Sequence, residues 1–161
     1  SLRRTLRRDQ FRLSADREFA AVMRACAAPR GDCEGSWIGA SMLSAYSALH
    51  ESGWAHSIEV RDDADRLVGG LYGVAIGGAF FGESMFSWAS DASKVAMVAL
   101  VGLLKDRGYG LIDCQLASRH LSSLGARSLP RVDFERTLAH TVAQPVDSVP
   151  WVLPPRCGDL L

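Results

Sequence analysis

Two short stretches of the chain place polar groups at the ends of apolar strands, where they could act on a substrate. Residues 82–87 put the Glu83 carboxylate after an apolar run, and residues 111–115 put Asp113 two positions before Gln115. Side chains two apart share one face of a strand, so we expect Asp113 and Gln115 to lie together. A carboxylate beside an amide could orient and polarise it next to a reacting amine. The alternative is that each is a buried polar group satisfied by backbone or water.

The cysteines offer little support for nucleophilic or metal chemistry. Cys114 is expected to point to the opposite face of its strand from Asp113, and no histidine is adjacent in the sequence to activate it. No C-x-x-C spacing occurs among Cys26, Cys33, Cys114 and Cys157, so neither a zinc site nor a redox pair is indicated. We therefore expect reduced structural thiols and no bound metal.

The elements that must position these residues begin with two helices. A helix is expected over residues 15–27 with Ser14 as its N-cap, and a second over residues 38–51, ended by Gly53. The pattern then changes to extended segments separated by short turns, which predicts an antiparallel meander. The strands are expected over residues 54–60, 67–76 and 79–86, with turns at 62–65 and 77–78.

The second half of the chain predicts a long helix packed on this meander. Residues 91–107 are apolar nearly all round the helix, which is typical of a helix buried against a sheet, and Gly108 ends it. Residues 109–115 predict a short core strand. The remaining elements are a helix-like stretch over residues 118–124, an extended piece near Ser128 and a helix opened by Pro130.

This order of elements is a mixed α/β pattern and not a regular βαβ repeat. The long helix between the meander and the next strand suggests a GNAT-like acyltransferase fold, a mixed and mostly antiparallel sheet flanked by helices, by analogy of fold alone. Acetyltransferases of that fold carry a glycine-containing loop before the long helix, whose amides bind the coenzyme A pyrophosphate. Residues 86–94 contain no glycine, so we expect neither coenzyme A nor another cofactor. Residues 69–73 lie inside a strand and form no dinucleotide-binding motif.

Composition limits the remaining classes of protein. The 161 residues are 48% hydrophobic and 22% charged, which indicates one globular domain and excludes collagen, coiled coil and intrinsic disorder. The longest uncharged stretch, residues 67–82, is too short and too rich in glycine for a membrane-spanning helix. No apolar core of the kind found in signal peptides follows the basic first residues. We therefore expect a cytoplasmic protein with no membrane partner.

Charge is unevenly distributed although the chain is neutral overall. Residues 1–30 hold eight arginines against Asp9, Asp16 and Glu18, a local balance of +5. Clustered arginines suit phosphate recognition, which predicts an anionic partner near this segment. A solvated charged flank is the alternative, and composition leaves both open. The residues concerned are Arg3, Arg4, Arg7, Arg8 and Arg12.

Seven motifs follow one another along the chain. They are GSWI (35–38), AHSIEV (55–60), LVGGLYGVA (67–75), FFGESMFS (80–87), ASK (92–94), LIDCQ (111–115) and SLGA (123–126). Together they resemble the bacterial leucyl/phenylalanyl-tRNA–protein transferases, collinearly from residue 1 to at least Arg136, and residues 155–157 are similar to that family's closing segment. The resemblance implies a GNAT-like domain that transfers Leu or Phe from Leu-tRNA or Phe-tRNA to the α-amino group of proteins beginning with Arg or Lys. Such proteins are thereby marked for degradation by the N-end rule.

The resemblance also implies roles for individual residues. Asp113 and Gln115 would be the catalytic pair, and Glu83 would help to receive the basic N-terminal residue of the acceptor, as suits a desolvated carboxylate. Trp37 would lie near the terminal adenosine of the tRNA. The pocket for the donor's Leu or Phe side chain would be lined by Leu71, Phe80, Met97, Leu104 and Ile112. The tRNA would then be the anionic partner of Arg3, Arg4, Arg7 and Arg8.

The residues by themselves leave alternatives to these roles. Met97 and Leu104 share a helix face, but that spacing is ordinary for core residues, and Trp37 could anchor the start of a helix. Ile112 faces away from Asp113 in an ideal strand, so its place in the pocket needs a splayed or bulged strand. The mechanism is open between positioning alone and a Gln115 amide oxygen that accepts a proton from the attacking amine.

The resemblance covers the catalytic part of the family. Its members begin with a smaller N-terminal domain that contains a Trp-Trp-Ser-Pro segment, and this chain starts downstream of it. We expect residues 1–161 to form one GNAT-like domain, either a fragment of a longer product or a shortened homologue. The alternative functions are a module that binds the tRNA end or a protein N-terminus without turnover, and a small-molecule N-acyltransferase fed by aminoacyl-tRNA.

Overall fold

The centre of the molecule is a five-stranded mixed sheet. The computed structural model describes residues 2–28, 38–147 and 149–161. Neighbouring strands are antiparallel from the first to the fourth, and the fifth runs parallel to the fourth. In both sequence and spatial order the strands are β1 (Arg12–Ala15), β2 (Ala55–Arg61), β3 (Leu67–Ile76), β4 (Ala79–Ser87) and β5 (Leu111–Asp113). The predicted mixed and mostly antiparallel sheet is confirmed.

Helices cover both faces of this sheet. They are α1 (Leu2–Arg8), α2 (Phe19–Ala27), α3 (Ala40–Glu51), α4 (Ala92–Asp106), α5 (Arg119–Ser123) and α6 (Arg131–Val142), and a 3₁₀ turn spans Cys157–Leu160. One face of the sheet packs against α4, while α2 and α3 lie on the other. None of the helices in the described ranges has the length and apolarity needed to cross a lipid bilayer.

Two apolar clusters hold these layers together, one on each face of the sheet. Successive side chains of β3 alternate between the two clusters: Leu71 belongs to the cluster beside α4, and Tyr72 belongs to the cluster beside α2 and α3. The long helix approaches the sheet closely at Gly69, where an added Cβ would lie 2.5 Å from the Cβ of Ala92. A glycine at this position therefore lets α4 lie flat on the sheet.

The start of the chain differs from the prediction. Ser14 does not cap a helix over residues 15–27: it lies in β1, opposite Glu59 of β2, and the helix begins at Phe19. Helix α1 was not predicted either. The physical reason is a long-range partner, because Ser14 Oγ donates to the Glu59 carboxylate at 2.6 Å. A buried carboxylate outweighs the local capping preference of a serine.

Glu59 organises this region because it is fully buried and its carboxylate is surrounded by donors. Besides Ser14, it accepts a hydrogen bond from Ser57 Oγ at 2.5 Å. The backbone nitrogens of Arg17 and Glu18, just before α2, each lie 3.4 Å from it. The Glu59 side chain therefore helps to tie the turn between β1 and α2 to β2.

The last residues of the chain return to its first segment. The backbone nitrogen of Leu13 donates to Pro155 O at 3.0 Å, and that of Cys157 donates to Phe11 O at 3.0 Å. Arg156 bonds with both the carboxylate and the carbonyl of Asp9. The closing segment, residues 155–157, thus lies along the outer side of β1.

The segment after α4 is less extended than predicted. The strand expected over residues 109–115 is limited to Leu111–Asp113, and no strand forms near Ser128, where residues 126–130 are irregular. Only three residues of β5 pair with β4, at Ala79–Phe81 in register. The chain leaves the sheet directly after Asp113, so β5 pairs with the first part of β4 alone.

Candidate active site

The predicted pair of Asp113 and Gln115 occupies a turn and not a strand face. The strand ends at Asp113, and Gln115 has the left-handed backbone φ of 62°. Asp113 Oδ1 accepts a hydrogen bond from the backbone nitrogen of Gln115 at 2.8 Å. The prediction that both side chains project from one strand face is therefore wrong, because this hydrogen bond turns the chain directly after Asp113.

The side chain of Gln115 is held from the neighbouring strand. Its Nε2 donates to the carbonyl oxygen of Gly82 in β4 at 3.1 Å. Since the amide nitrogen is engaged there, the amide oxygen is the part of this side chain left to accept a hydrogen bond. A left-handed conformation costs a non-glycine residue free energy, and such residues are common at functional sites. Here Asp113 fixes the backbone and Gly82 fixes the carboxamide.

Glu83 follows Gly82 in β4, at an irregularity of the strand. Tyr72 pairs with Ser84 and Gly73 with Gly82, so Glu83 has no partner in β3 and forms a β-bulge. Bulges redirect side chains and are frequent beside active sites. Gly82 therefore joins the backbone at Glu83 to the Asp113–Gln115 turn, whereas the Glu83 side chain is not among those that line the cavity beside this turn.

Tyr46 of α3 adds a group to this site that the sequence did not single out. Burial raises the pKa of Tyr46 to about 12, and a hydrogen bond to Glu83 and the charge of that carboxylate add to the effect. In the sequence, Tyr46 belongs to an apolar helical stripe that predicts an ordinary core residue. The identity of its partner depends on the bulge in β4, which no local pattern indicates.

A cavity of about 720 Å³ opens beside the Asp113–Gln115 turn. It lies between α4, β5 and the segment that leads through α5 to α6. Of the predicted site residues, Met97, Ile112, Asp113 and Gln115 line it, as does Cys114. Ile112 and Asp113 thus border one cavity although an ideal strand would separate them, since β5 ends here.

The other predicted pocket residues lie elsewhere. Leu71, Phe80 and Leu104 are buried in the core cluster on the α4 side and are not among the residues that line this cavity. Trp37 lies outside the described residues. Sequence reasoning missed the far wall of the cavity, which includes Leu121 and Phe134. The available signal was the SLGA motif at 123–126, since its last three residues also line the cavity.

The surroundings of Cys114 favour its neutral thiol over the thiolate. Burial raises its pKa, and the neighbouring Asp113 carboxylate raises it further. A thiolate nucleophile needs the opposite environment. Cys33 lies outside the described residues. Within the described ranges no disulfide forms among Cys26, Cys114 and Cys157. The same ranges contain no cluster of three His, Cys, Asp or Glu residues that could hold a metal ion.

Four arginines form an exposed face on α1, which we call the α1 arginine face. Its members are Arg3, Arg4, Arg7 and Arg8. The opposite side of the helix is buried through Thr5 and Leu6. Thr5 Oγ1 donates to Asp91 at 2.9 Å, immediately before α4, and Lys94 also bonds to Asp91 at 2.7 Å. The face is therefore fixed to the start of the long helix.

One backbone amide at the start of α4 is engaged by a side chain of the preceding strand. Ser87 Oγ accepts a hydrogen bond from the backbone nitrogen of Ser93 in the first turn, at 3.1 Å. Asp91 places a carboxylate at the N-cap position. An exposed helix N-terminus attracts phosphate groups through free amides and positive potential, and both are reduced here.

Comparison with known sequences gives a consistent result. A family profile described as leucyl/phenylalanyl-tRNA protein transferase matches residues 1–139. A protein of that name from Nitrosospira multiformis is 55% identical over 142 residues, covering 88% of this chain and 61% of its own length. Its counterpart from Nitrosomonas eutropha is 51% identical over 151 residues, covering 94% of this chain and 64% of its own length. The chain thus spans a little under two thirds of these relatives.

Comparison with solved structures shows the fold. An acetyltransferase from Trypanosoma brucei superposes with a TM-score of 0.53 at 12% identity, covering 75% of this chain and 95% of the other. A ribosomal-protein-alanine N-acetyltransferase from Brucella melitensis gives a TM-score of 0.51 at 13% identity, covering 74% and 94%. The predicted GNAT-like fold is confirmed by these neighbours, and at such low identity they bear on the fold alone.

Proposed function

The chain belongs to the leucyl/phenylalanyl-tRNA protein transferase family, and on this premise we propose that it transfers Leu or Phe from aminoacyl-tRNA to the N-terminal α-amino group of proteins beginning with Arg or Lys. The observation that carries the proposal is the geometry of Gln115, whose backbone is fixed by Asp113 and whose carboxamide is fixed by Gly82, the residue before Glu83. The products would carry N-end rule degradation signals. The reaction would take place in the cytoplasm, where aminoacyl-tRNA is made.

The acceptor is held by the Glu83 side of the site. A carboxylate at a bulge can accept two parallel hydrogen bonds from a guanidinium or a single ion pair from a lysine ammonium, and it repels an acidic residue. The α-amino group of the same residue then lies near Gln115. Its N–H donates to the amide oxygen of Gln115, which the hydrogen bond from the amide nitrogen to Gly82 O turns away from β4.

The chemical step requires position more than acid or base strength. The ester of aminoacyl-tRNA is already activated, and a neutral α-amine attacks its carbonyl carbon directly. The new C–N bond forms as the bond to the ribose oxygen breaks, and the amine proton passes to that oxygen, which restores the tRNA hydroxyl. Holding two reactants in a productive geometry contributes roughly 7–11 kcal/mol to such a step. Asp113 and Gly82 contribute to this geometry by fixing Gln115 before the substrate binds.

The amino acid of the donor would occupy the cavity, and its tRNA would contact the α1 arginine face. The 720 Å³ cavity has apolar walls at Met97 and Ile112, which suits a Leu or Phe side chain. The α1 arginine face provides clustered cations for tRNA phosphates. Coenzyme A is disfavoured as the donor, because Ser87 engages one amide of the helix terminus that would bind its pyrophosphate and the Asp91 carboxylate adds a negative charge there.

The test is transfer of labelled Phe from Phe-tRNA to a peptide that starts with Arg. The same peptide with an acetylated N-terminus is the substrate control, and Gln115→Ala should slow transfer, while Gln10→Ala, a change at an exposed residue away from the site, should not. Label in the Arg peptide supports the proposal. Retention of Phe-tRNA on filters without any transfer by the unaltered chain would favour a binding module instead.

A further inference from the structure

Glu83 is less constrained by strand pairing than its neighbours in β4. It is the extra residue of the bulge, so its backbone makes no paired contact with β3. It is also only partly buried. A side chain of this kind must be ordered when a ligand binds, which typically costs about 0.5–1.5 kcal/mol and weakens binding by about 2- to 12-fold. A residue that holds Glu83 beforehand removes this cost.

Tyr46 has a rigid support for that purpose. Its ring packs edge-on against Tyr72, with ring centroids 5.6 Å apart and planes at 84°. Tyr72 packs edge-on against Phe19 at 5.7 Å, and Phe19 stacks on His50 at 4.4 Å. This aromatic row runs from α3 through β3 to α2 and back to α3. Tyr72 pairs with Ser84, the residue after Glu83, so Tyr46 stands at the end of the row that lies beside the bulge.

We infer that Tyr46 is a positioning residue, which holds the Glu83 carboxylate ready for the basic side chain of the acceptor's first residue. This inference rests on the proposed function. An ionised carboxylate accepts about four hydrogen bonds, so a single phenol donor leaves sites for a bidentate guanidinium. A neutral donor also leaves the charge of Glu83 uncompensated, whereas a lysine or arginine in its place would cancel it.

The protonation state of Tyr46 agrees with this role. Its pKa is raised to about 12, by burial and then by the hydrogen bond and the charge of Glu83. The phenol therefore remains a neutral hydrogen-bond donor throughout the physiological range of pH.

Tyr72 provides a matched control in the same row of rings. It is fully buried, and among the described residues its hydroxyl has no hydrogen-bond partner. Tyr72→Phe therefore removes the same atom as Tyr46→Phe, from the adjacent ring, without removing a hydrogen bond. The two variants separate the effect of holding Glu83 from the effect of altering the aromatic packing.

The experiment is calorimetric titration of the full 161-residue chain with a peptide that starts with Arg. Tyr46→Phe should weaken binding about fivefold, and Tyr72→Phe should leave it unchanged. In the Glu83→Gln background, Tyr46→Phe should cause no further loss, because the group that it holds is already altered. In transfer assays, Tyr46→Phe should raise KM for the Arg peptide and leave kcat unchanged.

The failures of the two proposals are distinguishable. If the unaltered chain binds no Arg peptide, the acceptor side of the proposed function fails and this inference fails with it. If the unaltered chain binds the peptide and Tyr46→Phe binds it equally or more tightly, the inference alone is overturned. Equal losses in Tyr46→Phe and Tyr72→Phe would likewise overturn it, since they indicate a packing effect.

Discussion

Replacing Asp113 by Asn or Ala separates the hydrogen bond at this position from its charge. In the structure, Asp113 Oδ1 accepts from the backbone nitrogen of Gln115 at 2.8 Å. Asparagine keeps an acceptor oxygen at the same place, whereas alanine removes it. The left-handed backbone of Gln115, which costs roughly 1–2 kcal/mol for a non-glycine residue, would then be held only through its side chain.

The expected magnitudes follow from the strength of this hydrogen bond. A hydrogen bond to a charged group contributes about 1.5–3 kcal/mol and a neutral one about 0.5–1.5 kcal/mol, and the partial exposure of Asp113 favours the lower values. Asp113→Asn should therefore slow transfer by about fivefold. Asp113→Ala should slow it by about 10-fold or more, because Gln115 loses its preferred geometry as well.

The assay is single-turnover transfer of Phe from labelled Phe-tRNA to an Arg peptide, with filter binding of the same tRNA in parallel. Both variants should retain tRNA almost as well as the unaltered chain, since Asp113 is not part of the α1 arginine face. Equal rates for the Asn and Ala variants would refute the hydrogen-bond argument and point to charge. Parallel losses of transfer and tRNA binding would refute a local role and indicate a structural one.

Three further outcomes are expected. Glu59→Ala should lower the free energy of unfolding, measured in urea, by about 3 kcal/mol, because buried donors lose their acceptor. A loss below about 1 kcal/mol would contradict the buried hydrogen bonds assigned to Glu59. Alanine at all four positions of the α1 arginine face should make tRNA binding less dependent on salt, so that the slope of log K against log salt concentration falls by about three in magnitude. An unchanged slope would exclude phosphate contacts there. The hydrogen bonds from Lys94 and then Thr5 lower the pKa of Asp91 below 3.8, so its stabilising contribution is present above that pH and is lost as pH falls through the lower folded value. Asp91→Asn should therefore reduce the loss of stability as the pH falls below 3.8, and identical acid unfolding curves would contradict this assignment.

The centre of the fold could be predicted from the sequence because its signals are local. The strands expected over residues 67–76 and 79–86 match β3 and β4 within a residue, and the helix expected over 91–107 matches α4. Runs of alternating or continuous apolar residues, ended by turns, indicate such elements without knowledge of their partners. The GNAT-like order of elements followed from these three.

The edges of the site could not be predicted because long-range partners define them. Residues 12–15 carry no strand pattern of their own, and β1 exists because Glu59 is buried opposite Ser14. Gln115 leaves the strand because Asp113 binds its backbone and Gly82, 33 residues earlier, binds its side chain. The sequence thus indicates which residues carry the chemistry, while their geometry depends on contacts that no periodicity encodes.

The return of the closing segment to β1 has a consequence for how copies of this chain meet. A bare strand at the margin of a sheet is a template on which another chain can extend the sheet, and it promotes aggregation. Residues 155–157 already occupy part of the outer hydrogen-bonding positions of this margin through Phe11 and Leu13. At the opposite margin β5 is only three residues long. Pairing with a second copy is therefore disfavoured along β1, and the short β5 offers few positions for it at the opposite margin.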